Sequence, residues 1–353
     1  MMALGVSAAC GDTLPPDRAA ETAPVAPEAA PPLPKRPSKI IVFGDSLSDS
    51  GNAYIGSLHS RAPSPPYFFG RFSDGPVWAE LFAAHFGLQA TAALRGGSNY
   101  AVGGAKAGSG ADSLPNQVQL YLWLSAFSRP DPDALYVIFG GGNDIRSALK
   151  RADPAPALAL AVFRIRRIIE RLARHGAIDF LVPNVPNRGR TPAARARNTS
   201  AREAAMTVAF DRGLDLALSD FPARDHINLV RVDFWSAVEQ ALASPGRWGL
   251  TDIADPCLTQ LEDDDPRGYR RCASPESYAF WDDIHPTVTG HRFLAATAIA
   301  AYEAAVRASP AIPRVPPMQD IAAADSSSSV SDVADEVLHL IRDRIAREMR
   351  TGR

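Results

Sequence analysis

A single three-layer α/β/α domain with a mainly parallel sheet is the fold class that the sequence predicts, and three observations carry it. Four segments, "KIIVF" from Lys39, "ALYVIFG" from Ala134, "IDFLVPNV" from Ile178 and "INLVRVDFW" from Ile227, are short, rich in β-branched residues and almost continuously apolar. Such runs suit strands covered on both faces. The stretches between them carry helical patterns, and strands alternating with helices argue for a sheet wound on both sides. Between two Pro- and Ala-rich ends, Lys39 to Ala308 supplies 270 residues with no visible internal repeat, the size of one large domain.

The segments follow in order. "MMALGVSAAC" is short and apolar and ends in small residues and Cys10. It resembles the tail of a bacterial lipoprotein signal, in which the Cys is lipidated, although no basic residues precede it and Ser7 stands where a larger aliphatic is usual. Nine residues before Cys10 are few for a working signal, so an upstream start is expected with it. Residues 14–38 are mostly Pro, Ala and charge, which cannot bury enough apolar surface to offset the ordering entropy, and read as an extended tether. Residues 1–38 are therefore set apart from the domain at 39–308.

Within the domain, "IIVFGDSLSDSGN" is a strand that ends at Gly44 and runs into hydroxyls and carboxylates, with Ser46 expected at the start of the next helix. "SNYAVGGAKAG", Ser98 to Gly108, is a glycine-rich loop whose backbone can approach a ligand closely. The second strand runs into three glycines and Asn143-Asp144, either of which can cap the following helix. Ala155 to His175 carries Leu158, Val162, Phe163, Ile165, Ile169 and Leu172 as one apolar stripe, with the arginines on the other face. The acidic run in "EDDDPRGYRR" lacks the alternating oxygens of a Ca²⁺ loop and reads as solvated. In "YAFWDDIHPTVTGH", Asp282 and His285 stand three apart, a spacing that lets a carboxylate hold the imidazole by Nδ1–H and leave Nε2 free as a base. His291, six further on, reads as structural. Residues 309–353 form a second linker and then an amphipathic helix, Ser331 to Met349, which either docks on the domain or pairs with a copy of itself.

Composition excludes some partners. The formal charge is −2, from 37 basic and 39 acidic residues, so no global field recruits nucleic acid or an anionic membrane. The 46% hydrophobic content suffices for a sizeable core, and the longest apolar runs are too short to span a bilayer as helices. No obligate protein partner is evident; a membrane tether through a lipidated Cys10 is the expected exception.

Four strand ends thus offer Ser46, a glycine amide, Asn143 and an Asp–His pair, the inventory of a serine hydrolase. The set and its order resemble the GDSL-type lipases and esterases, also called SGNH hydrolases. The residues that carry the resemblance are Ser46 in "GDSL", Gly104 in "NYAVGGA", Asn143 in "GGND" and His285 in "DDIH", supported by "LPNQVQLYL" and "LVPNVPNRGRTP". No G-x-S-x-G nucleophile elbow is present. The resemblance implies a flavodoxin-like sheet and a catalytic set of Ser46, Asp282 and His285, with an oxyanion hole of Ser46, Gly104 and Asn143 and no metal or organic cofactor. Gly103 adjoins Gly104 and Asp283 adjoins Asp282; family spacing selects Gly104 and Asp282. It also implies that the aromatic cluster Tyr67, Phe68, Phe69 and Phe72 is part core and part lining of an acyl slot.

Lipid-like or short-to-medium acyl esters are the substrates this branch implies. Carbohydrate acetyl esters, acyl transfer to another alcohol, and a tethered module that keeps the fold only for binding are the alternatives. Export to the periplasm, outer membrane or medium is expected from Cys10, and in such a compartment Cys257 and Cys272 are expected to form a disulfide in a segment of no regular pattern.

Overall fold

The computed structural model describes residues 36–125, 130–221, 227–260, 268–308 and 328–351. Cys10 and the tether up to residue 35 lie outside them, as do the linker at 309–327 and the acidic run at 261–267. Four strands, β1 (Ile40–Gly44), β2 (Leu135–Phe139), β3 (Asp179–Pro183) and β4 (Asn228–Val232), pair in that order, all parallel. They are the four runs read from the sequence. All but Arg231 are buried, which explains why no polar alternation marks them.

Residues 98–102 run along the free edge of β1. Val42 N–H donates to Ser98 O at 3.1 Å, and the N–H groups of Tyr100 and Val102 donate to Val42 O and Gly44 O at 2.8 and 3.2 Å. The chain therefore leaves β1 towards this edge and returns to β2 on the other side. Connections that part in opposite directions open a crevice beyond the strand ends, and β1 is that point here.

Among the described residues the helices are α1 (Asn52–Gly56), α2 (Trp78–His85), α3 (Leu114–Leu124), α4 (Gly142–Ala148), α5 (Ala155–Arg174), α6 (Pro192–Ala196), α7 (Ser200–Leu218), α8 (Phe234–Ala243), α9 (Val288–Ala308) and α10 (Ser328–Thr351). One face of the sheet packs Val42, Val137 and Leu181 against Trp78 and Phe82 of α2 and Leu294 and Tyr302 of α9. The other packs Phe43, Ile138 and Phe180 against α3, α5 and α7. Arg166 departs from the expected polar face of α5: it is buried, ion-paired with Glu170 at 3.2 Å and Asp220 at 2.7 Å, because α7 covers that flank.

The C-terminal helix α10 docks on its own domain. Val337 and Ile341 are buried against α7, where Gly213 makes room; a Cβ there would lie 2.7 Å from Ile341 Cδ1. Arg344 lies over the Phe163 ring of α5 at 3.7 Å. The segment with no expected pattern is ordered by short strands. β5 (Asp252–Pro256) pairs with the later β8 (Tyr278–Phe280), while β6 (Leu258–Gln260) and β7 (Tyr269–Arg271) form an antiparallel pair joined by the Cys257–Cys272 disulfide.

Candidate functional site

The end of β1 is shaped by contacts that the sequence does not display. Gly44 binds the Gln117 side chain through both its N–H and C=O, at 2.9 and 2.8 Å, and a Cβ on it would lie 2.6 Å from Phe139 O. Ser46 then falls in a turn rather than at a helix start; α1 begins only at Asn52. The reason is the carboxylates. Asp45 Oδ1 accepts Leu47 N–H at 3.1 Å, and buried Asp49 accepts the N–H groups of Gly51, Asn52, Ala53 and Gly103 at 2.8, 2.6, 3.0 and 2.8 Å. Burial pushes both carboxyls up to about 6. Asn52 Nδ2 donates to Asn99 O and Ala101 O, and Asn99 Nδ2 donates to Ser48 O, so the polar run after β1 is what fastens the glycine loop beside it.

Asp282 and His285 lie in the turn between β8 and α9. Asp282 Oδ1 accepts the N–H groups of Ile284 and His285 at 2.9 and 2.8 Å, and the His285 Nδ1–H donates to Asp282 Oδ2 at 2.7 Å. His285 Nε2 is 2.8 Å from Ser46 Oγ, the geometry in which the hydroxyl donates to the ring. Burial alone would raise the Asp282 carboxyl; the His285 charge and these hydrogen bonds hold it below the usual carboxylate range. Asp283 makes none of these contacts and is exposed.

Tyr67, expected only within the aromatic cluster, was not legible as a partner of Asp282. Its hydroxyl donates to Asp282 Oδ2 at 2.9 Å, and burial together with that carboxylate pushes the phenol far above its ordinary range, so it acts as a neutral donor. Phe72 packs on the His285 ring at 5.1 Å between centres and closes on Gly103, where a Cβ would lie 2.2 Å from it. Phe69 is exposed. Tyr67 and Phe72 therefore support Asp282, His285 and the glycine loop, and neither lines the apolar cavity beside Ser46.

Asn143 stands in the first turn of α4, whose N-cap is Gly141 with no side-chain cap. Its Nδ2 donates to Ala105 O at 3.0 Å and retains a second hydrogen. Asp144 likewise caps nothing on α4; it accepts Ala107 and Gly108 N–H at 2.8 Å each. Gly103 N–H is committed to Asp49, whereas among the described residues the N–H groups of Ser46 and Gly104 have no acceptor. Gly104 has φ +77°, a conformation that favours glycine. The structure thus separates Gly103 from Gly104 on a physical ground that spacing alone did not provide.

Ser46, Asn143 and His285 open onto a cavity of about 140 Å³ walled by Val238 and Leu242 of α8, Trp248, Leu250, Phe280 and Phe293 of α9. Asp45, Arg188 and Arg190 supply its charged groups; the half-buried Arg188 pairs with Glu203 at 3.3 Å. His291 lies apart, buried, with Nδ1 accepting Trp78 N–H at 3.2 Å. No cluster of three or more metal-ligating side chains occurs among the described residues.

The model of the family described as GDSL-like Lipase/Acylhydrolase matches residues 40–298. The phosphatidylcholine-sterol acyltransferase of Aeromonas hydrophila is similar at 28% identity over 303 residues, covering 73% of this chain and 88% of that protein. The thermolabile hemolysin of Vibrio parahaemolyticus is 26% identical over 284 residues, 74% of this chain and 63% of the hemolysin. A solved member of the lipolytic protein G-D-S-L family from Veillonella parvula superposes with a TM-score of 0.40 at 16% identity, over 75% of this chain and 97% of that one. Since the match to the family model covers well over half of the sequence, the chain belongs to the GDSL-like lipase/acylhydrolase family.

Proposed function

We propose that the protein hydrolyses carboxylic esters through an acyl-enzyme on Ser46, and that the acyl group is lipid-like or of short-to-medium length. The observation that carries this is the hydrogen-bonded chain Asp282–His285–Ser46 opening onto an apolar cavity. His285 Nε2 takes the proton as Ser46 Oγ attacks the ester carbonyl, and Asp282 stabilises the imidazolium. The carbonyl oxygen gains its charge among the N–H groups of Ser46 and Gly104 and the second amide hydrogen of Asn143. The imidazolium returns the proton to the leaving alkoxide, and water, deprotonated by the same ring, releases the acid. The apolar walls favour an alkyl chain over a sugar.

Acyl transfer to an alcohol other than water is the second reading, favoured by the similarity to the Aeromonas acyltransferase; it differs only in what enters after the first alcohol leaves. We also propose that the protein is exported and tethered through Cys10; the Cys257–Cys272 disulfide supports an oxidising compartment. A fluorophosphonate probe should label Ser46 and be lost in Ser46→Ala, and a p-nitrophenyl ester series should favour acyl chains over acetate. Folded wild-type protein that neither labels nor hydrolyses any ester would refute the reading.

A further inference from the structure

Arg61 lies outside every motif of the site, on the loop after α1. Its Nη2 donates to Gly103 O. The Gly103 carbonyl and the Gly104 N–H belong to one peptide unit, so this bond engages the acceptor end of the amide whose donor end is free. Asp49 fixes the preceding amide at 2.8 Å through Gly103 N–H, and Phe72 blocks movement on the side-chain side of Gly103. The plane of the 103–104 peptide is therefore held by a carboxylate, an aromatic ring and a guanidinium. Arg61 itself is braced: its N–H donates to Ser57 Oγ at 2.9 Å and its Nη1 pairs with Asp112 Oδ2 at 3.4 Å. Leu58, His59 and Ala62 around it adopt left-handed φ of 53°, 72° and 48°, a local path that turns the side chain back towards the glycine loop.

We infer that Arg61 is a positioning residue that strengthens the Gly104 N–H as an oxyanion donor, acting through the shared peptide; the inference rests on the ester-hydrolase reading above. A charged donor on a carbonyl draws electron density along the amide, and hydrogen bonds in such a chain polarise one another. The gain is largest when the acceptor at the far end carries charge, which is the tetrahedral intermediate and not the bound ester. Loss of Arg61 therefore falls on kcat and spares KM.

The test compares Arg61→Met, which keeps the length and removes the charge, with Arg61→Lys, which keeps the charge. On a p-nitrophenyl ester, Arg61→Met should lower kcat roughly 5- to 20-fold, less than the 10²–10³ expected for deleting an oxyanion donor outright, with KM within about twofold. Arg61→Lys should recover to within about threefold of wild type. Affinity for an alkyl boronic acid, which binds as a tetrahedral anion on Ser46, should fall in step with kcat in Arg61→Met and return in Arg61→Lys. An active wild type whose Arg61→Met variant keeps kcat within twofold overturns the inference alone, as does a loss that Lys does not restore and boronate affinity does not follow. A wild type that neither turns over esters nor labels at Ser46 overturns the hydrolase reading and this inference with it.

Discussion

Asn143 shows how one side chain can be read two ways from sequence and one way in the fold. An Asn after a buried strand suits a helix cap, yet α4 is capped by backbone at Gly141, and the Asn143 amide bridges to Ala105 O with one hydrogen to spare. Asn143→Ala should therefore lower kcat by about 10²–10³, roughly 2.7–4 kcal/mol of transition-state stabilisation, with little change in KM. A helix cap would instead cost about 1 kcal/mol of stability and leave kcat intact. Steady-state kinetics beside a urea melt separates the two. The Asp282–His285 pair was legible because three residues span one turn. Tyr67 was not: its partner Asp282 is 215 positions away, and a tyrosine among phenylalanines signals packing.

Two elements tie distant chain to the site or the core. The disulfide joins β6 and β7 directly before the strand that delivers Asp282; Cys257 N–H donates to Phe280 O and Leu258 N–H to Trp281 O, at 3.0 and 2.6 Å. Closing its 15-residue loop is worth about 3 kcal/mol in the chain-entropy account. The Cys257→Ser, Cys272→Ser double variant should lose about that much in chemical denaturation and lose part of kcat, while Ser46 still takes the probe. An unchanged melting curve would remove the brace from the account. Helix α10 and its apolar face were readable from the spacing, but the surface it docks on was not, since the hollow that accepts it is made by the absence of a side chain at Gly213. Ile341→Asp places a charge in that apolar seat and should destabilise the fold by several kcal/mol, with kcat per folded molecule unchanged within twofold. Equal thermal stability in the variant would mean that the helix is dispensable.

For the whole molecule, buried titratable groups set how stability follows pH. Burial holds His291 neutral down to about 3 against an ordinary 6.5, so its contribution is fully present above pH 6.5 and is lost as pH falls through that window, by about 1.4 kcal/mol per unit. Asp45 and Asp49, raised to about 6, act oppositely: their contribution is complete below about pH 3.8 and is lost as pH rises through 6. Between pH 4 and 6 the two trends compete. His291→Asn keeps an acceptor for Trp78 N–H and removes the titration. The stability gap between wild type and variant should therefore shrink by about 3 kcal/mol from pH 6.5 to 4, measured by urea denaturation at both ends; a constant gap would show that the ring does not titrate with folding.

The sequence by itself determined the strand and helix alternation, because buried parallel strands must be apolar throughout, and it singled out the candidate residues at the strand ends, because Ser, Asn, Asp and His there have few other uses together. Only the tertiary structure decided that Ser46 sits in a turn held by Asp45 and Asp49, that Gly104 and not Gly103 has its amide free, and that the apolar cavity is walled by α8 and α9 instead of the aromatic cluster. Each of these depends on which group has already spent its hydrogen bond or its volume on a neighbour far along the chain. Local pattern carries the period and chemistry of an element, while the partner of any one amide or ring is settled by packing between elements.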